Sequence, residues 1–180
     1  MAANELTTAR LRLAPHAPRD LRALIQGQEC YELSSGLKPA DGLRDFIVSP
    51  DVSPDWLAEL GNASEPDPWR YGFALIPLDS ATVIGNAGFT GPPDANGIAE
   101  IAYGVVPAFQ GCGYATEAAQ ALAAYAGADS RVRTLWAHTL PERNASCRVL
   151  EKCGFQRVSE INHPTDGLIW RWERRVPANE

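Results

Sequence analysis

Two glycines stand close together near the middle of the chain, within the stretch Gln110-Gly111-Cys112-Gly113-Tyr114-Ala115. An apolar run, 98–106, precedes them, and an alanine-rich run, 115–128, follows. Glycines at a strand-to-helix junction let the backbone turn tightly and approach a ligand closely. The first free N–H groups of the helix and the positive end of its dipole then form a phosphate site. A glycine turn that only starts a helix gives the same pattern, so this stretch alone leaves both interpretations open.

The surrounding segments must position this stretch, and their hydrophobic patterns predict an α+β fold. Alternating apolar residues predict strands at 8–14, 71–77, 82–89, 98–106, 133–140, 155–161 and 168–175. Helical spacing and capping residues predict helices at 18–30, 54–60, 115–128 and 144–153. The three strands between 71 and 106 form an antiparallel meander that ends at the glycine stretch. We therefore predict one domain over residues 1–180, with a mixed, mostly antiparallel central sheet flanked by helices.

The composition of the chain bounds its partners and its compartment. Its 180 residues are 45% hydrophobic and 21% charged, which suits a single globular core. A net charge of −6 and a pI near 5.1 argue against nucleic acid or an anionic membrane as the main partner. No apolar run approaches the roughly 20 residues of a membrane helix, and we expect no secretory signal. Four cysteines without a C-x-x-C pair and three scattered histidines predict free thiols, no metal site and a cytoplasmic protein.

Residues 31–70 have no clear periodicity and hold eight acidic residues against three basic ones. One interpretation is a lid whose acidity suits a cationic amine or peptide. The other, which we favour, is a solvated acidic surface segment. Trp56 and Trp69 are then expected to anchor the segment to the core and not to stack on a ligand.

Three nucleotide-binding patterns compete for the glycine stretch. A P-loop requires Lys and then Ser or Thr after its last glycine, whereas Tyr114 follows Gly113. A Rossmann fingerprint requires a third small residue and an early βαβ unit, whereas Thr116 occupies that position and antiparallel strands come first. The third pattern, Gln/Arg-x-x-Gly-x-Gly/Ala, does match, at Gln110, Gly113 and Ala115.

This third pattern resembles the pyrophosphate loop of the GNAT superfamily, the CoA-dependent N-acetyltransferases. A second stretch resembles the other half-motif of that family, an Asn near a helix start that ends in Leu-Glu-Lys-x-Gly-Phe, here Asn144 and 150–155. The opening residues 6–13 and the tail 114–118 are most similar to the ribosomal-protein-alanine acetyltransferase branch. The resemblance is absent from 31–70, which we take as the variable, acceptor-facing segment.

The resemblance implies acetyl-CoA as the cosubstrate, without a metal. The pyrophosphate would lie against the backbone N–H groups that follow Gln110, those of Gly111, Cys112, Gly113, Tyr114 and Ala115. The pantetheine arm would pair like an added strand with the main chain of Tyr103, Gly104 and Val105. Such pairing requires an open sheet edge, and so the strand at 133–140 must splay from the strand at 98–106. Asn144 is implied as a further CoA contact, although it stands two residues before Ser146 where other members have three.

The resemblance also implies a direct transfer of acetyl to a primary amine, for which two side chains are candidates. A substrate ammonium must lose its proton before it attacks, and Glu100 stands where several members place their catalytic glutamate. A solvent-facing strand residue is the alternative for Glu100. The leaving thiolate needs a donor, for which Ser146 is the candidate because 144–153 holds no tyrosine; a first-turn helix cap is the alternative. His138 either lines the acceptor cavity or is a satisfied core histidine, and we favour the second.

These features predict an N-acetyltransferase that acts on a protein N-terminal α-amine or on a small amine. A non-catalytic acyl-CoA-binding sensor of the same fold is the rival interpretation. An unrelated α+β binding protein with a glycine-capped helix is a weaker one. We expect neither nucleic acid nor membrane as a partner, and the sequence leaves open whether the chain forms a homodimer.

Overall fold

The computed structural model describes residues 5–49, 52–164 and 166–177. The strands are β1 (Leu6–Thr7), β2 (Leu11–Pro15), β3 (Lys38–Pro39), β4 (Phe73–Pro77), β5 (Thr82–Val83), β6 (Gly85–Phe89), β7 (Ile98–Val105), β8 (Thr134–Thr139), β9 (Gln156–His163) and β10 (Gly167–Arg175). The helices are α1 (Pro18–Gln26), α2 (Gln28–Ser35), α3 (Asp45–Val48), α4 (Pro54–Asn62), α5 (Pro68–Tyr71), α6 (Tyr114–Gly127) and α7 (Ala145–Lys152). A single 3-10 turn, Pro107–Phe109, leads into the glycine stretch.

The main sheet has the strand order β1-β2-β4-β6-β7-β8-β10-β9. Every neighbouring pair in it is antiparallel except β7 and β8, which are parallel. A small parallel pair, β3 and β5, lies beside it. The predicted α+β class, with a mostly antiparallel sheet and the meander β4-β6-β7, is therefore confirmed.

Both faces of the sheet are covered, as the composition of β4 shows. All five of its residues are buried. Phe73 and Leu75 pack in a core shared with α6 and α7, whereas Ala74 and Ile76 pack in a second core with α1, α2, α3 and α4. Such a continuous apolar run is typical of a strand that is buried on both sides. Most of the segment 31–70 therefore covers the second face of the sheet, whereas Trp69 packs in the first core.

The strands β7 and β8 diverge, as the sequence predicted. Their parallel pairing covers Ile98 with Thr134, Ala99 with Leu135 and Glu100 with Trp136, and it stops there. From Ile101 to Val105, β7 remains paired with β6 on its other side. The C-terminal half of β7 therefore presents an open edge inside the sheet.

Two predicted elements are interrupted. The helix predicted at 18–30 breaks at Gly27, whose φ of 151° lies outside the helical region, and a second helix continues to Ser35. The strand predicted at 82–89 breaks at Ile84, after which Gly85 enters the main sheet. A side chain at Gly85 would come within 2.2 Å of the carbonyl oxygen of Gly104, so only glycine permits this close strand contact.

The segment 31–70 is folded onto the core through its tryptophans. Trp69 is buried, with its ring centroid 4.2 Å from that of Phe89. Trp56 packs against the second core, and its Nε1 donates a hydrogen bond of 2.8 Å to the carbonyl of Arg70 within the same segment. The predicted anchoring role of both tryptophans agrees with these contacts, and the helix predicted at 54–60 is present as α4. Asp51, one of the eight acidic residues, lies outside the described residues. Of the helices that the structure describes, none is sufficiently long and apolar to span a membrane.

Candidate active site

The glycine stretch forms a cradle of backbone N–H groups at the start of α6. Gly111 and Gly113 have φ values of 76° and 86°, a region that favours glycine. Among the residues that the structure describes, no side chain caps α6. Within the described part of the chain, the N–H groups of residues 111–116 have no hydrogen-bond acceptor. Six donors at the positive end of a 14-residue helix fit a phosphate or pyrophosphate group.

Arg10, which precedes β2, holds this loop in place. Its Nη1 donates to the carbonyl of Cys112 at 2.9 Å, and its guanidinium lies 4.9 Å from the ring centroid of Tyr114. Its Nε and Nη2 bind the Glu117 carboxylate at 2.9 and 2.8 Å. Since the guanidinium is half exposed beside the cradle, it also adds positive charge where an anion would lie.

Arg10 and Glu117 together form a clamp on the loop, and Glu117 is its acidic member. Its carboxylate accepts hydrogen bonds from the Thr8 hydroxyl and, at 2.7 Å, from the backbone N–H of Arg10. Burial raises the pKa of Glu117, but the bonds from Thr8 and Arg10 outweigh it, and the net pKa lies below the usual range. Glu117 therefore stays ionised and keeps Arg10 beside the loop.

The open edge of β7 has backbone groups available for a ligand. The N–H of Thr90 donates to the carbonyl of Glu100 at 3.0 Å, which places the even-numbered residues of β7 on the β6 side. Because these directions alternate along a strand, Tyr103 and Val105 direct their backbone groups to the open edge. The Gln110 side chain donates to the carbonyl of Val105 at 2.8 Å and ties the loop to the end of this edge.

Tyr103 and Ser146 face each other from β7 and α7. The Tyr103 hydroxyl lies 3.1 Å from Ser146 Oγ. Burial raises the pKa of Tyr103 to about 12, so its hydroxyl keeps its proton at neutral pH. Asn144 provides the cap of α7, since its side-chain oxygen accepts from the N–H of Cys147 at 3.0 Å. The cap that was the alternative role for Ser146 is thus made by Asn144, and the Ser146 hydroxyl bonds to Tyr103 instead.

Glu100 is held by a histidine from the neighbouring strand. His138 Nδ1 lies 2.6 Å from Glu100 Oε1, and Arg171 Nε donates to His138 Nε2 at 3.4 Å. An arginine only donates, so Nε2 must accept, and Nδ1 carries the proton that it shares with Glu100. The second carboxylate oxygen of Glu100 has a long contact of 3.5 Å with the Thr90 hydroxyl. One oxygen is therefore fixed, while the other is only loosely engaged.

Glu100 and the Tyr103–Ser146 pair lie on opposite faces of the sheet. Side chains alternate along β7, so Glu100, Ala102 and Gly104 share the face that carries α1 to α4. Tyr103 packs on the other face with α6 and α7. A cavity of about 320 Å³ on the first face is lined by Ala102 and Gly104. The open edge between β7 and β8 connects the two faces.

The structure places the predicted site residues along β7, at the start of α6 and at the start of α7, and some of their contacts differ from those expected. Cys112 is exposed and contributes its carbonyl to Arg10. His138 is the partner of Glu100, and not the simple core histidine that we favoured. The Arg10 clamp, the Arg171 contact and the Tyr103 hydroxyl were missed. For Arg10 a signal existed, because it belongs to the opening stretch 6–13 that carries part of the family resemblance. Among the residues with described positions, no cluster of His, Cys, Asp or Glu could hold a metal ion.

The class of protein follows from this fold and loop together with a family comparison. Residues 10–156 match the family profile described as an acetyltransferase (GNAT) domain. The chain therefore belongs to the GNAT family of acetyltransferases, and the predicted family is confirmed.

Relatives and solved structures agree with this assignment. The uncharacterized N-acetyltransferase YjdG of Bacillus subtilis is 33% identical over 92 residues, which cover 49% of this chain and 55% of that protein. The uncharacterized N-acetyltransferase p20 of Bacillus licheniformis is 33% identical over 102 residues, 57% of this chain and 53% of that protein. The chain spans about half the length of these curated relatives. The structure of RimL, described as a ribosomal L7/L12 alpha-N-protein acetyltransferase in complex with coenzyme A, has a TM-score of 0.65 at 16% identity, over 98% of this chain and 100% of that one. This last likeness shows a shared fold.

Proposed function

We propose that the protein is an acetyl-CoA-dependent N-acetyltransferase whose acceptor is a protein or peptide α-amine or a small primary amine. The observation that carries the proposal is the open edge of β7. It runs from the unsatisfied N–H groups of 111–116 to an opening flanked by Glu100 and by the Tyr103–Ser146 pair. RimL, which shares the fold, is described as acting on an α-amine and as binding coenzyme A, and this supports both halves of the proposal.

The residues present fit acetyl-CoA. The backbone N–H groups of 111–116, with Arg10 beside them, would hold the pyrophosphate. The backbone groups of Tyr103 and the N–H of Val105 would pair with the amides of the pantetheine arm, since the Val105 carbonyl already accepts from Gln110. When bound, acetyl-CoA supplies an activated acyl carbon and a thiolate leaving group. Asn144 is a weaker candidate for a cofactor contact, because its side-chain oxygen already caps α7.

Glu100 would serve as the base. An amine that arrives as an ammonium must transfer one proton before its nitrogen can form a bond to carbon. The loosely engaged oxygen of Glu100 would take this proton, directly or through a water, while His138 fixes the other oxygen at 2.6 Å. The new C–N bond then forms as the C–S bond breaks, and the products are an N-acetyl amide and free coenzyme A.

The Tyr103–Ser146 pair would protonate the departing sulfur. Either hydroxyl can act as the donor in their 3.1 Å bond, and a third group can accept from the hydroxyl that is left free. Because the pKa of Tyr103 is raised to about 12, the pair holds its protons at neutral pH and can give one to a thiolate. The nitrogen loses a second proton as the amide forms, and this proton, passed through water, restores the one that the pair gave to sulfur. The proton that Glu100 receives returns to solvent after the product leaves, so the net reaction releases one proton.

The test is a comparison of Glu100→Gln with the wild type. Binding of acetyl-CoA is measured by titration calorimetry, and turnover is measured as thiol release with a panel of peptides and small amines. We expect unchanged binding and a kcat that falls by about 10²-fold or more, the range for loss of a general base. Glu160→Gln, a strand carboxylate on β9, is the matched control and should keep wild-type turnover.

Each alternative outcome removes a different part of the proposal. Unchanged turnover by Glu100→Gln would show that this carboxylate is not the base. Intact acetyl-CoA binding without wild-type turnover on any amine would favour the acyl-CoA sensor. Failure of the wild type to bind acetyl-CoA would remove the proposal entirely.

A further inference from the structure

The cavity of about 320 Å³ beside β7 has a composition that selects among acceptors. It lies between the sheet and the segment 31–70, on the same face as Glu100. Glu100, Ala102 and Gly104 follow each other at about 6–7 Å spacing along this face, since a strand rises about 3.3 Å per residue. The cavity that Ala102 and Gly104 line therefore begins one step from the Glu100 carboxylate. An amine placed at Glu100 would extend its neighbouring group into this cavity.

A buried polar pair, His16 and Asn86, lies in the wall of this cavity. His16 is 4% exposed, and its Nε2 lies 2.8 Å from Asn86 Oδ1. A carbonyl oxygen only accepts, so Nε2 carries the proton and Nδ1 has the free lone pair. Neither His16 Nδ1 nor Asn86 Nδ2 has a hydrogen-bond partner among the described residues. Both nitrogens keep some exposed surface, since no described side-chain nitrogen or oxygen is both fully buried and without a partner. The pair therefore presents one acceptor and one donor, side by side, to the cavity.

The rest of the described wall is mainly apolar, and none of the residues in it carries a carboxylate. Phe46, Trp56 and Tyr71 are its aromatic members on this face, whereas the rings of Phe89 and Tyr103 pack in the core on the other face. None of the described residues that line the cavity is acidic, and the charged one among them is Arg70. Arg70 bonds to Glu59 at 2.7 Å, and the side chains of both residues are about half exposed. Any attraction of a cation to Glu59 is therefore offset by Arg70 and weakened by water.

A cation would have no compensating partner in this wall, whereas a neutral group that donates and accepts would find both of its partners. Desolvating a charge without a counter-charge is far more costly than desolvating a hydrogen-bonded neutral group. The volume is also at the small end for ligand sites, which suits one residue-sized group and not a long chain. The carboxylates of the segment 31–70 that act on a wall residue are Glu59 and Asp67, beside Tyr71. Both are paired with Arg70, and neither lines the cavity itself.

We propose that this cavity selects acceptor amines whose neighbouring group is compact and uncharged and carries a carboxamide or hydroxyl, recognised by His16 Nδ1 and Asn86 Nδ2. Polyamines and amines flanked by a cationic side chain are disfavoured. This inference rests on the proposed acetyl transfer, and it specifies the acceptor class of the same site. His16 and Asn86 are specificity-determining residues in it, and they take no part in the bond changes.

The wild-type protein tests the proposal with peptides that are identical except for their first residue. Peptides that begin with Asn, Ser or Thr are compared with peptides that begin with Lys or Arg, and with spermidine. We expect kcat/KM to be about tenfold or more higher for the neutral group, the effect of about 1.4 kcal/mol of discrimination. Equal or higher kcat/KM for spermidine or for the Lys and Arg peptides would overturn the proposal.

Two substitutions locate the selectivity in the cavity. Ala102→Asp introduces the missing carboxylate and should raise kcat/KM for the Lys peptide relative to the Asn peptide by about fivefold or more. Leu33→Asp makes the same charge change at a residue that is 89% exposed on α2, and it should leave this ratio unchanged. Asn86→Leu should lower kcat/KM for the Asn peptide by about tenfold, because the side-chain donor is lost.

Binding of acetyl-CoA by each variant is measured by calorimetry. This measurement separates a failure of the proposed acceptor class from a failure of the proposed acetyl transfer. Two results, each with normal acetyl-CoA binding and turnover, would overturn the acceptor class alone. One is a wild type that prefers the cationic acceptors. The other is the same ratio of kcat/KM for the Lys and Asn peptides in Ala102→Asp and in Leu33→Asp. No turnover of any amine by the wild type would instead remove the acetyltransferase proposal on which it rests.

Discussion

His16 makes the stability of the protein depend on pH between about 4 and 6.5. Burial lowers the pKa of His16 from 6.5 to about 4, against the smaller opposing effects of the Asn86 hydrogen bond and the Asp20 carboxylate. In the unfolded chain the imidazole has its ordinary pKa, so the unfolded state binds the proton more tightly. Stability contributed by the neutral ring is therefore complete above pH 6.5 and is lost as the pH falls toward 4.

The size of this effect follows from the two pKa values. At pH 5 most unfolded molecules carry the proton on His16 and most folded molecules do not. The linkage relation then gives a loss of about 2 kcal/mol in the free energy of unfolding between pH 8 and pH 5. In His16→Gln, which keeps an amide donor for Asn86 but does not titrate, this part of the loss should vanish.

Urea unfolding followed by tryptophan fluorescence at pH 8, 6.5 and 5 measures the difference, since the chain has five tryptophans. The other histidines are common to both proteins, and their contributions cancel when wild type and His16→Gln are compared. His163→Gln serves as a control, because this side chain is partly exposed and should leave most of the wild-type loss in place. Equal losses for the wild type and His16→Gln would refute the assignment of a neutral, buried His16.

Two further predictions concern the cofactor side of the sheet. Tyr103→Phe and Ser146→Ala should each lower the single-turnover rate at saturating acetyl-CoA. Because the two hydroxyls form one bonded pair, the double variant should be little slower than the slower of the two single variants. A rate for the double variant that falls by the product of the two single losses would contradict a shared role. Arg10→Ala should raise the Kd for acetyl-CoA by about tenfold, through loss of charge-assisted bonds that hold the loop. Arg12→Ala, whose guanidinium pairs with Glu5 on the surface, should leave it unchanged; equal Kd values for the two variants would contradict the clamp.

Local patterns predicted the parts of this fold that depend on local sequence. The run from Ile98 to Val105 alternates, and the two glycines after it have the positive φ values that their position requires. The helix α7 begins and ends close to its predicted bounds, with Gly154 just after it. Two short half-motifs in the right order were enough to identify the family, because the loop geometry that they encode is itself local.

Contacts between distant residues could not be predicted from these patterns. Arg10 and Glu117 are 107 residues apart, and His138 and Glu100 are 38 apart. The alternation of β7 placed Tyr103 on the correct face, but only the packing of α7 against that face brings its hydroxyl to Ser146. The four-residue helices α3 and α5 are too short to produce a periodic signal. Apart from α4, the structure of residues 31–70 therefore could not be predicted until their tertiary contacts were known.

The short pairing of β7 with β8 has a mechanical consequence. One half of the main sheet, β1 to β7, is joined to the other half, β8 to β10, through three residue pairs at one end of the opening. Beyond these three pairs, side-chain contacts and the shared core hold the two halves together, with β7 backed by β6 and β8 by β10. A molecule that pairs with the exposed side of β7 would add backbone hydrogen bonds in the part of the sheet where the two strands have none between them.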